Sequence, residues 1–163
     1  MEQITLQTHN AAWKKIFAAE KQLLLDALQP AHIHHVGSTA VPDLLAKPII
    51  DIAIEATIFP PTKHIIETLS AIGYEYRGEA GVEGRHWFTK GDPRKINLHY
   101  CTVNSSIVKS QLVFRDSLIR NEQLRREYEE IKIKNATGKD IDDANYALVK
   151  SPIIKKAIDQ FSR

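Results

Sequence analysis

From Asn10 to Leu28 the apolar positions Trp13, Ile16, Phe17, Leu24, Ala27 and Leu28 recur near the helical period, leaving Lys14, Lys15 and Lys21 for solvent. This predicts a first helix, capped by Asn10 and ended by Pro30. Ile33 to Val36 is a short strand that stops at Gly37-Ser38, and Thr39 to Pro48, with two prolines, reads as loop or a single turn. Ile49 to Ala56 alternates with period two. Ile50, Ile52 and Ile54 face the core, and Asp51, Ala53 and Glu55 share the other face. Pro60-Pro61 opens a second helix with Ile65, Ile66, Leu69 and Ile72 on one side, closed by Gly73.

Tyr74 to Arg77, Arg85 to Lys90 and Lys95 to Val103 read as strands, the last two joined by the turn Gly91-Asp92-Pro93-Arg94. Helices follow over Ser106 to Ile119 and Glu122 to Asn135. In the second, Leu124, Tyr128 and Ile131 form the apolar stripe, and the charged run that includes Arg125, Arg126, Lys132 and Lys134 is expected on a solvated face. After a break at Thr137-Gly138 a short helix is expected near Asp142. Another should begin at Ser151-Pro152, a cap followed by proline at the first helical position. The order predicts an α/β (α+β) fold: a mixed β-sheet flanked by helices, with a helical C-terminal region. One domain is expected over 1–163, with its core at about 10–103 and the helical part at about 105–163.

Bulk properties narrow the function classes. The chain has 163 residues, 43% hydrophobic and 26% charged, enough for one ordinary core. No run approaches the roughly 18 apolar residues of a membrane span, so no membrane partner is expected. A formal net charge of +2 gives no sign of nucleic-acid binding. The first residues carry no secretory or transit pattern, which leads to a cytoplasmic expectation. Cys101, the single cysteine, lies in an apolar strand and reads as an inert buried thiol.

Candidate chemistry gathers at three strand ends. Gly37-Ser38-Thr39 lets the backbone turn tightly, presenting N–H groups and two hydroxyls as a concavity suited to phosphate oxygens. Asp51 in an apolar strand either faces solvent on a half-exposed sheet face or demands a partner, a hydrogen bond or a metal. Asn97, His99 and Cys101 share a strand face, so His99 reaches the Asp51 cavity if the two strands are neighbours. Lys47 and Arg85 either add positive charge there or extend into water. Asp116 is placed to pair with Arg120 one turn on. His32, His34, His35, His86 and His99 are too dispersed in the sequence to define a zinc set.

The run His35-Val36-Gly37-Ser38-Thr39-Ala40-Val41-Pro42 through Lys47-Pro48-Ile49-Ile50-Asp51-Ile52 resembles the signature of the GrpB family. Weaker matches agree in order along the chain: Trp13, Gly73-Tyr74, Leu98-His99, Phe114-Arg115-Asp116, Glu127-Tyr128 with Lys132, and Tyr146 with Lys150. By fold that family is assigned to the DNA polymerase beta-like nucleotidyltransferase superfamily. The resemblance implies a site in which Gly37, Ser38, Thr39, Lys47 and Arg115 bind the phosphates of a nucleotide or another phosphorylated small molecule. Asp51 would ligate Mg²⁺, with Glu55 a second candidate ligand, and His99 would orient or deprotonate an acceptor.

The sequence departs from the superfamily pattern at two points. The second carboxylate position is Ala53, and the later strand carries Asn97 and His99 in place of an acid. Two readings follow. One is metal-assisted nucleotidyl transfer to an acceptor the sequence does not identify. The alternative is a non-catalytic nucleotide-binding or interaction module that has lost the second metal carboxylate.

Overall fold

The structure, a computed structural model, describes residues 5–136 and 143–162. Its strands are β1 (His32–Val36), β2 (Ile50–Ala56), β3 (Tyr74–Tyr76), β4 (His86–Lys90) and β5 (Ile96–Thr102). Its helices are α1 (Ala12–Leu28), α2 (Lys63–Ala71), α3 (Ser106–Arg120), α4 (Glu122–Ala136) and α5 (Asp143–Phe161). The strands form one mixed sheet in the order β1-β2-β5-β4-β3. β2 and β5 run parallel, and the other three pairings are antiparallel.

The period-two alternation in β2 divides the sheet as expected. Ile50, Ile52 and Ile54, with Ile96, Leu98, Tyr100 and Phe88, form the main core under α1 and α2. Each large aliphatic chain withdrawn from water there contributes roughly 1.5–3 kcal/mol. The opposite face is also partly covered: Val36, Ala53 and Cys101 pack with Val108, Ile107 and Leu112 of α3. A third cluster joins the loop residues Val41 and Leu44 to Leu118, Leu124, Tyr128, Ile153 and Ala157 of the C-terminal helices. The loop after Gly37-Ser38 is therefore anchored along its length.

Local signals explain the element ends. Asn10 Oδ1 accepts the Ala12 N–H at 2.9 Å, and left-handed Gln29 (φ 47°) turns the chain out of α1 just before Pro30. Thr62 caps α2 through the Ile65 N–H at 3.3 Å. Ile16, expected inward, is 43% exposed, because the buried stripe of α1 runs through Trp13, Glu20 and Leu24 instead. Glu20 is buried with partners: it accepts from Tyr74 Oη and Lys90 Nζ, both at 2.8 Å, tying α1 to the far side of the sheet.

Two expectations at the C-terminus are corrected. Ser151-Pro152 does not start a helix; α5 runs through Pro152 from Asp143 to Phe161. Proline inside a helix costs about 3 kcal/mol. Burial of Ile153 and Ala157 against α3 and α4 holds the helix together across it. Lys132 does not join a solvated face: it is 1% exposed on the same stripe as Leu124 and Tyr128. The expected break at Thr137-Gly138 and the helix start near Asp142 lie outside the described residues.

Candidate functional site

Where α3 leaves the second face of the sheet uncovered, a cavity of about 510 Å³ opens over the beginnings of β2 and β5. Its floor is Asp51, Asn97 and His99, its near wall Trp87 and Arg85 from β4 and the loop before it. Arg94 enters from the β4–β5 turn. Ser38, Lys47 and Ile49 close the side nearest β1, and Lys132 of α4 with Ala147 and Lys150 of α5 roof it. The sheet register creates the floor: Asp51 pairs with Asn97, and Trp87 pairs with His99.

Asp51 is the hub. Its Oδ1 accepts from Asn97 Nδ2 at 3.0 Å and from His99 Nε2 at 3.3 Å. Asn97 Oδ1 in turn accepts the Trp87 indole N–H at 3.3 Å, so one amide joins the indole to the carboxylate. Burial acts to raise the Asp51 pKa. The hydrogen bonds and charge offered by His99, the bond from Asn97 and the charge on Lys150 outweigh burial, holding the carboxyl below its ordinary value. On the other side, Asp51 Oδ2 lies against Gly37. That glycine has φ 73° and ψ −173°, a backbone conformation that is essentially glycine's alone.

Among the described residues the basic side chains lining the cavity with Asp51 are Lys47, Arg85, Arg94, Lys132 and Lys150. Arg85 and Arg94 stand 6.0 Å and 5.7 Å from the Trp87 ring centre, within cation–π range. The Arg85 guanidinium also donates to the Glu79 and Ala80 carbonyls, while its buried Nε has no hydrogen-bond partner among the described residues. Lys132 donates to the Leu45 carbonyl, and Glu129 accepts the Leu45 N–H at 2.8 Å, so α4 grips both sides of one loop residue. Burial brings the Lys132 pKa down to about 7, helped by Lys150 and opposed by Glu129. Tyr128, buried beneath Lys132, bonds to Ser38, and burial pushes its hydroxyl up to about 12.

The candidates named from sequence divide. Ser38, Lys47, Asp51 and His99 line the cavity, and Gly37 backs Asp51. Thr39 turns inward: it is 2% exposed and bonded to His35 Nε2 at 2.9 Å. Glu55 is engaged at the other end of β2, accepting from His34 at 3.0 Å and from the Asn104 N–H at 2.9 Å. Arg115 braces β1 by donating to the His35 carbonyl at 3.0 Å, and it, not Arg120, takes the Asp116 carboxylate at 2.8 Å.

Trp87, Arg94, Asn97, Lys132 and Lys150 complete the site without having been singled out as ligand-binding. Lys132 had a readable signal, since it falls four residues after Tyr128 on the buried stripe. Arg94 had none in its own segment and Lys150 only a weak family match, because a turn and a helix on opposite walls bring them together.

A two-metal centre does not fit these donors. Ala53 fills the second carboxylate position, fully buried among Val36, Cys101 and Val108. Asn97 spends its Oδ1 on Trp87 and points its amide N–H at Asp51. Among the described residues, no group of three or more His, Cys, Asp or Glu is arranged to hold a metal ion. No described helix is long and apolar enough to cross a membrane.

Sheet, covering helices and cleft together define a mixed α/β protein with a cation-lined, small-molecule-sized cavity on one sheet face. The chain belongs to the GrpB family, whose model, described as GrpB protein, matches residues 3–160. It is 33% identical over 159 residues to the UPF0157 protein YqkA of Bacillus subtilis, covering 95% of this chain and 46% of YqkA. Thus the chain spans about half of that relative. It is 34% identical over 155 residues to the UPF0157 protein BH1888 of Halalkalibacterium halodurans, covering 94% of this chain and 80% of that protein. The crystal structure of conserved protein GrpB from Enterococcus faecalis is similar throughout, with a TM-score of 0.87 and 28% identity. That match covers 98% of this chain and all of the other.

Proposed function

We propose that the cavity binds a nucleotide or another phosphorylated small molecule. The observation that carries this reading is the charge balance: five basic side chains from five separate segments converge around one carboxylate, among the described residues, and a serine turn. Like charges brought together repel one another, and an anionic guest relieves that repulsion. Trp87, in cation–π range of Arg85 and Arg94, holds both guanidinium groups at the cavity wall, where they suit phosphate oxygens. The Gly37-Ser38 to Asp51 run resembles the GrpB signature, and the nucleotidyltransferase superfamily to which that family is assigned by fold suggests the same ligand class.

Of the two forms this reading takes, binding without nucleotidyl transfer is favoured by Ala53. The residue is wholly buried in an apolar cluster, with no room for the second carboxylate that metal-assisted transfer uses. The test is a thermal-shift panel of nucleotides and inorganic phosphates, run on the wild-type chain and on Lys150→Met. A true ligand at about a hundred times its Kd stabilises by about 2.7 kcal/mol, a shift of several degrees. That shift should shrink in Lys150→Met. A panel in which no phosphorylated compound moves the wild-type melting temperature contradicts the proposal.

A further inference from the structure

We propose that this cavity takes the phosphates of its ligand without a divalent metal ion, so that Mg²⁺ competes with the protein for them. The inference rests on the phosphate-binding reading above and adds the state in which the ligand enters. Its basis is the way the polar atoms of the floor are already used. Asp51 Oδ1 accepts two hydrogen bonds, from Asn97 at 3.0 Å and His99 at 3.3 Å. Asp51 Oδ2 lies 2.6 Å from the place where a Cβ on Gly37 would stand, so one side of that oxygen is closed by backbone. The Asn97 side chain has one acceptor oxygen, and it receives the Trp87 indole N–H. The floor thus leaves a metal only Asp51 Oδ2 as a carboxylate donor, one side of it closed, with the neighbouring N–H groups already engaged on Oδ1.

The walls work in the same direction. Lys47, Arg85, Arg94 and Lys150, with Lys132 when protonated, line the cavity, and a divalent cation placed among them meets their repulsion. In metal-dependent phosphate sites carboxylates gather the ion and the ion neutralises the phosphates. Here side-chain cations supply that neutralisation directly, as lysine and arginine do at other phosphate sites. A free triphosphate carries more negative charge than its Mg²⁺ complex, so the free form gains more from these five groups.

The experiment is isothermal titration of ATP, and separately of inorganic triphosphate, into the full chain, once in EDTA and once in excess Mg²⁺. The expected result is binding in EDTA that weakens several-fold in Mg²⁺. Asp51→Asn should bind triphosphate in EDTA at least as tightly as wild type, since it removes the one negative charge on the floor. Binding that appears only with Mg²⁺, or is tightened by it, overturns this inference and leaves phosphate binding standing. No binding of either probe in either buffer removes both readings. The wild-type comparison stands by itself if Asp51→Asn folds poorly.

Discussion

Asp51 and Gly37 are fitted to each other: the carboxylate oxygen Oδ2 lies 2.6 Å from where a Cβ on residue 37 would be. The glycine also has φ 73° with extended ψ, so a side chain there meets both a clash and a backbone strain. Gly37→Ala should therefore destabilise the chain by about 1–3 kcal/mol and push Asp51 off its bonds to Asn97 and His99. Gly78 is the control, with φ +69° and nothing within 4 Å of its added Cβ. Urea unfolding should rank Gly37→Ala below Gly78→Ala, and only the first should lose ligand binding. Equal effects of the two substitutions contradict this account of Gly37.

Lys132 gives a prediction in pH. Its pKa is about 7 in the folded chain against 10.5 for an ordinary lysine, burial being the main cause. Below pH 7 folded and unfolded states both hold the proton, and the cost of burying it is present in full. Between about 7 and 10.5 the unfolded state keeps a proton the folded state has released, so stability rises with pH. The slope approaches about 1.4 kcal/mol per pH unit at most. Lys132→Met lacks this contribution. Wild-type stability, measured by urea unfolding, should gain on the variant from about pH 7 to pH 9.5. A constant difference across that range means the ammonium is not buried as described.

Ala53 stands at the second carboxylate position and Asn97 on the later strand that would carry a further acid, and they should respond differently. Ala53→Asp puts an unpaired charge into the cluster of Val36, Cys101 and Val108 and should cost about 3–5 kcal/mol. Asn97→Asp places a carboxylate beside Asp51 at a partly exposed position and removes an N–H donor. That variant should fold, bind phosphates more weakly and gain affinity for Mg²⁺ or Mn²⁺. Denaturation and metal titration of the two variants check the pair.

Much of the scaffold could be read directly because its signals are local. The isoleucine alternation in β2 gave both sheet faces, and the Gly91-to-Arg94 turn fixed the β4–β5 hairpin within a residue or so. Ser38, Lys47 and Asp51 were legible because they sit in the loop linking β1 to β2 or at the start of β2, and His99 because strand alternation puts it on the Asn97 face of β5. Arg115 was misplaced because its guanidinium is used to hold the β1 carbonyl of His35, a contact across 80 residues. Lys132 was misread because charge counted for more than its helical phase with Leu124 and Tyr128. Pro152 misled because local propensity yields to the packing of Ile153 and Ala157. Such long-range contacts leave no mark in a short window of sequence.

The central claim is that the cavity reads phosphate charge, and Trp87 gives it a built-in reporter. It lines the cavity, whereas Trp13, the other tryptophan, is 3% exposed in the core under α1. The most direct measurement is a fluorescence titration of the wild-type chain and Trp87→Phe with adenosine, AMP, ADP and ATP in EDTA. The account predicts saturable quenching that tightens with each added phosphate, is absent for adenosine and is lost in Trp87→Phe. Adenosine binding as tightly as ATP, or no saturable response to any of the four, would contradict it.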